Sequence, residues 1–113
     1  MQHHREISLN DSLTGLLNRR GADAAIRRAM EGGPPERCHA ALLVDIDHFK
    51  SINDGFGHAE GDAVISRVAQ ALRGCTSAGA VPARLGGDEF LVFVPDCERE
   101  SAERVAAGLL EAI

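Results

Sequence analysis

The run Ala40-Ala-Leu-Leu-Val-Asp-Ile46 is apolar without alternation, and no other stretch constrains the fold as much. A strand with one wet face alternates apolar and polar residues. A strand without alternation is covered on both faces, which predicts a central position in a sheet. Helical periodicity surrounds it. A helix is expected over about 18–31, with Ala22, Ala25, Ile26, Ala29 and Met30 on one face and Gly32-Gly-Pro-Pro35 stopping it. It follows an ordered loop, Asp11-Ser-Leu-Thr-Gly-Leu-Leu-Asn18, rich in cap and turn residues. A second helix is expected over 61–73, carrying Val64, Ile65, Val68, Ala69 and Leu72, with Gly74 as its cap. Residues 81–85 and 90–94 read as a β-hairpin turning at Gly86-Gly-Asp-Glu89 and closed by Pro95. A third helix begins near Glu98 and presents Ala102, Val105, Ala106, Leu109, Leu110 and Ile113.

The core of this order, βαββα, becomes a ferredoxin-like α+β sandwich with an antiparallel sheet once one further strand is added. Ile113 is an apolar position with no capping residue after it, so the chain is expected to stop short of its last elements. At 113 residues one domain is expected, over 11–113, with residues 1–10 a linker or an expression remnant. Seventeen acids against twelve bases, no Trp or Tyr and only four Phe remove both a basic footprint and stacking platforms, so no nucleic-acid polymer is expected as partner. Cys38, Cys75 and Cys97 lack zinc-site spacing and read as reduced thiols of a cytoplasmic chain. No stretch approaches membrane-spanning length, so no membrane contact is expected.

Chemistry concentrates in three places. Asp45 and Asp47, at i and i+2 of a strand, would share one face, and paired carboxylates favour a cation between them. Hard oxygen donors suit Mg²⁺, although two acids at a strand end also occur as plain solvated groups. Phe49 and Lys50 occupy positions where an EF-hand needs a ligand and a glycine, which excludes that loop. Asp88 and Glu89 lie in a Gly-Gly turn that is either a bare hairpin tip or, with its strands antiparallel to the 40–46 strand, a neighbour of Asp45. The segment 48–62 reads as a tight ordered loop with His58 as loop structure. Lys50 is placed to meet a phosphate, and Asn53 and Asp62 suit a purine edge. For Asp62 a plain carboxylate at a helix N-terminus is the alternative. No Walker A loop, dinucleotide fingerprint, HExxH motif or Ser/His/Asp signature is present.

Taken in order, Asp11-Ser-Leu-Thr-Gly-Leu-Leu-Asn-Arg-Arg20, Leu43-Val-Asp-Ile-Asp-His-Phe-Lys50, Ile52-Asn-Asp-Gly-Phe-Gly-His58 with Gly61-Asp62, and Ala83-Arg-Leu-Gly-Gly-Asp-Glu-Phe90 resemble the GGDEF family, the diguanylate cyclases. The resemblance runs from about residue 11 to the end. It implies a palm-like, ferredoxin-related fold and the condensation of two GTP into cyclic di-GMP and two pyrophosphates, with the two GTP on facing domains of a homodimer. It further implies Mg²⁺ (or Mn²⁺) on Asp45, the carbonyl of Ile46, Asp88 and Glu89. Asp88 or Glu89 would be the base, with Asp45 beside them. Asn53 and Asp62 would meet guanine, and Lys50 with the amides of His48 and Phe49 the phosphates. Two departures carry consequences. Ser77-Ala-Gly-Ala80 stands where product-inhibited members have RxxD, so no inhibitory site is expected. The family's further strand and basic helix are missing, from which strand exchange, dimerisation or weak activity follows. A catalytically silent GTP- or metal-binding interaction module is the competing expectation.

Overall fold

A computed structural model describes residues 8–33, 36–75 and 79–112. Its elements run α1 (Arg19–Met30), β1 (Ala40–Asp45), α2 (Phe49–Phe56), α3 (His58–Cys75), β2 (Val81–Gly86), β3 (Glu89–Val94) and α4 (Arg99–Ala112). The strands form one antiparallel sheet in the order β1-β3-β2, an α+β architecture.

The strand covered on both faces is β3. Phe90 through Val94 are all buried, because helices lie over each face and a strand flanks each edge. Strand alternation sends Phe90, Val92 and Val94 to the larger core with Ile65, Val68 and Leu72 of α3 and Leu109 of α4. Leu91 points the other way, to Ala83 and to Ala22 and Ile26 of α1. The cover on both faces expected for the 40–46 run is therefore corrected. Among the described residues β1 is an edge, its burial alternates, and Leu43 is 77% exposed. Leu42 and Val44 still pack on the larger core, so an apolar run reported the strand but not its place in the sheet.

α1 starts where the Asn18 side chain accepts a hydrogen bond from the Gly21 amide at 2.9 Å, a cap worth about 1 kcal/mol. Ala22 is buried against the sheet, whereas Met30 is 59% exposed and leaves the expected apolar face at the helix end. In α3, Ile65, Val68, Ala69 and Leu72 recur at helical spacing and are all buried. Fully burying each of the larger side chains is worth about 1.5–3 kcal/mol.

Segment 48–62 is the second correction. It forms α2 and the first turn of α3, not a loop, and His58 is helical. His48, with φ of 60°, and Gly57, with φ of 90°, reverse the chain at either end, and Phe49 anchors α2 on the core. Because α3 begins at His58, Asp62 lies in its second turn, and Gly74 lies inside the helix rather than capping it. On α4, Ala102 and Leu109 are buried, but Leu110 is 79% exposed, and Ile113 lies outside the described residues.

Residues 8–18 are fastened as a strap along β2. The Arg84 amide donates to Leu17 O at 2.8 Å, and Leu17 bridges Ala83 in parallel. Arg73 donates to Thr14 O from the side of α3. Residues 1–7 lie outside the described part. Cys38 is an exposed free thiol and Cys97 a buried one. No described helix is long and apolar enough to cross a membrane.

Candidate functional site

The sheet brings the end of β1 to the hairpin tip. Asp45 is the register partner of Glu89, and the Ile46 amide donates to Asp88 O at 3.3 Å. The tip is a two-residue turn, Gly87-Asp88, preceded by a register shift between Arg84 and Gly86. Gly87, with φ of 47°, takes a left-handed conformation that a side chain would strain. The Asp88 carboxyl lies within hydrogen-bonding reach of Asp45. That contact and the Asp88 charge hold Asp45's carboxyl above its ordinary value, with lesser pushes from desolvation and Glu89. The Ile46 amide pulls the other way and loses.

The turn is held from behind by a residue that sequence reasoning quoted without giving it a role. Arg84 donates from Nε and Nη2 to Gly87 O at 3.1 and 2.9 Å, and from Nη1 to both Asp11 carboxylate oxygens at 3.1 and 3.2 Å. Asp11 also accepts from the Thr14 amide at 2.9 Å and its hydroxyl at 2.8 Å. Burial opposes ionisation of Asp11, but these bonds outweigh it, and its pKa falls below the usual carboxylate value. An Arg beside a Gly-Gly turn and an Asp three before a Thr were both visible in the sequence. Their 73-residue separation hid the pairing.

Asp47 is corrected. β1 ends at Asp45, so strand alternation does not carry Asp47 onto Asp45's face, and it sits exposed in the turn that enters α2. α2 has no acid in its first turn and no side-chain cap from His48. The opening amides, at His48, Phe49 and Lys50, therefore lack an acidic or capping side chain and suit an anion beside the exposed Lys50. One turn on, Asn53 meets Gly61, whose chain neighbour Asp62 is exposed. Of the segment 77–80, residues 77 and 78 lie outside the described part.

Among the described residues, no three His, Cys, Asp or Glu side chains gather closely enough to form a complete metal cage. The donor set nonetheless fits one hard cation. Two carboxyls in contact repel when ionised, and a cation between them removes the cost that raises Asp45's pKa. Mg²⁺ commonly takes only one or two carboxylates and fills its shell with water and phosphate oxygens.

Comparison with known proteins gives one answer. A family model described as "Diguanylate cyclase, GGDEF domain" matches residues 8–113. The response regulator PleD of Caulobacter vibrioides is 44% identical over 110 residues, covering 94% of this chain and 24% of PleD. The GGDEF domain of TpbB (YfiN) from Pseudomonas aeruginosa superposes with a TM-score of 0.83 at 39% identity, over 91% of this chain and 61% of that one. The GGDEF domain of DgcB from Caulobacter crescentus, solved with c-di-GMP, gives 0.82 at 31% identity, over 96% and 62%. The chain thus spans about a quarter of PleD and about three-fifths of the two solved GGDEF domains.

Proposed function

The chain belongs to the GGDEF family of diguanylate cyclases, and on that premise we propose that it takes part in condensing two GTP into cyclic di-GMP and two pyrophosphates across a homodimer. The observation that carries this reading is the meeting of Asp45 with Asp88 beneath the Gly-Gly turn, which pools negative charge where a magnesium triphosphate needs it.

Asp45, the Ile46 carbonyl, Asp88 and Glu89 are the groups that would hold Mg²⁺ or Mn²⁺. Such an ion would supply neutralisation of phosphate charge and a more acidic ribose 3′-hydroxyl. The opening amides of α2 at His48 and Phe49, with Lys50, hold the β- and γ-phosphates. Asp62 accepts from guanine N1–H and N2–H₂, an arrangement adenine cannot satisfy, and Asn53 contacts the same base. An acid of the pair Asp88 and Glu89 takes the 3′-hydroxyl proton. The freed oxygen attacks the α-phosphorus of the GTP on the facing copy, the bond to pyrophosphate breaks, and the reciprocal step closes the ring.

Each copy supplies one triphosphate cradle, so chemistry needs two copies face to face. The absence of an RxxD sequence over 77–80 leaves the product without that inhibitory site. The test incubates the full-length protein with GTP and Mg²⁺ and looks for cyclic di-GMP. Product that vanishes on Asp88→Ala supports the cyclase reading. Tight GTP binding without product makes the domain a silent nucleotide-binding module.

A further inference from the structure

We propose that Gly61 is a positioning residue for nucleotide recognition, setting the side chain of Asn53 by leaving it room. Asn53 Oδ1 is the one buried side-chain oxygen or nitrogen among the described residues that has no hydrogen-bond partner. It is pressed into the space where a side chain at position 61 would begin. A Cβ on Gly61 would stand 1.8 Å from Asn53 Oδ1, 2.9 Å from its Cγ and 3.4 Å from the Phe49 ring. The first two distances are impossible for non-bonded atoms, so any residue but glycine evicts the amide from its slot.

The Phe49 ring, at ordinary contact distance from that Cβ position, is not displaced, so the group that must move is the amide. Phe49 is packed on the core, which fixes the wall of the slot. Gly61 is itself buried, and its amide donates to Gly57 O at 3.2 Å, so the backbone of α3 is fixed where it faces α2. Its φ is not in the left-handed region, so alanine suits the backbone and the only conflict is with Asn53. The bare Cα of Gly61 therefore fixes the distance between the α2 amide and Asp62, the next residue of α3. This inference rests on the reading of Asn53 and Asp62 as base-contacting groups.

The experiment compares wild type, Gly61→Ala, Asn53→Ala and the double variant in the full-length protein, with a fluorescent GTP analogue as probe and GTP turnover in parallel. Loss of one neutral hydrogen bond predicts about a tenfold weaker Kd for Gly61→Ala. KM should rise with it, and kcat at saturation should hold within about twofold. Asn53→Ala should weaken binding similarly, and the double variant no further, because truncating Asn53 removes the atoms that the new methyl strikes. If Gly61→Ala fails to fold, recovery of the fold in the double variant supports the contact, and no recovery overturns it. Wild-type affinity in Gly61→Ala, with Asn53→Ala weakened, overturns the role of Gly61 alone. Wild-type affinity in Asn53→Ala overturns the base-contact reading and this proposal with it. A double variant much weaker than Asn53→Ala means that Gly61 acts through something else, which also overturns it.

Discussion

Replacing Asp11 by Ala removes the carboxylate on which the N-terminal strap, β2 and the acidic turn converge. The Asp11 and Arg84 side chains are 19% and 14% exposed, and Arg84 contacts both carboxylate oxygens. Breaking a fully buried ion pair from one side costs about 3–5 kcal/mol, and a hydrogen bond to a charged group about 1.5–3. The remaining exposure screens the stranded guanidinium, which also keeps its bonds to Gly87 O, so the loss should be about 2–3 kcal/mol. For a domain of this size that is about 8–12 °C in Tm. Because the folded pKa of Asp11 is depressed, its stabilisation is complete above the unfolded value of 3.8 and fades as pH falls through the lower folded value. Urea denaturation of wild type and Asp11→Ala from pH 7 down to pH 3 should therefore show a gap that narrows below about pH 4. A gap under about 0.5 kcal/mol at pH 7, or one unchanged at pH 3, would refute the latch.

Asp88→Asn should cut cyclic di-GMP formation by at least about a hundredfold. With no nucleotide bound it should melt no lower than wild type, since it relieves the repulsion on Asp45; a large drop in Tm would contradict this. Asp62→Ala should reduce the preference for GTP over ATP in competition binding by about 1–3 kcal/mol, and an unchanged preference would remove Asp62 from base recognition. Phe90, fully buried at the centre of the sheet, should cost about 3–5 kcal/mol as Phe90→Ala in chemical denaturation. Leu43→Lys should lower concentration-dependent association of the 113-residue chain in sedimentation, since β1, an apolar edge among the described residues, templates pairing; unchanged association would refute that.

Elements whose pattern repeats were legible in the sequence. Ile65, Val68, Ala69 and Leu72 announce α3 because burial of one face imposes a helical period, and Phe90-Leu-Val-Phe-Val94 announces a strand as an unbroken apolar run. The meeting of Asp45 with the Gly-Gly turn followed from antiparallel pairing alone, which aligns one strand's end with the other's start. α2 was hidden because Asn53, Asp54 and Gly55 are poor helix formers. Its helix depends on Phe49 docking into a core the local sequence does not contain. Sheet order was hidden for a similar reason. β1 and β3 are equally apolar, and only the long-range pairing of strands decides which is flanked. The Asp11–Arg84 latch and the Asn53–Gly61 contact are tertiary, and no local period encodes them.

Asp45 and Glu89 form the last rung of the β1–β3 ladder, at the acidic turn. Terminal position and charge repulsion among Asp45, Asp88 and Glu89 make that rung the first to fray. A nucleotide with its magnesium would then act as a clasp, zipping the ladder to its end and raising the melting temperature as its concentration climbs. Substrate would thus complete the sheet that receives it.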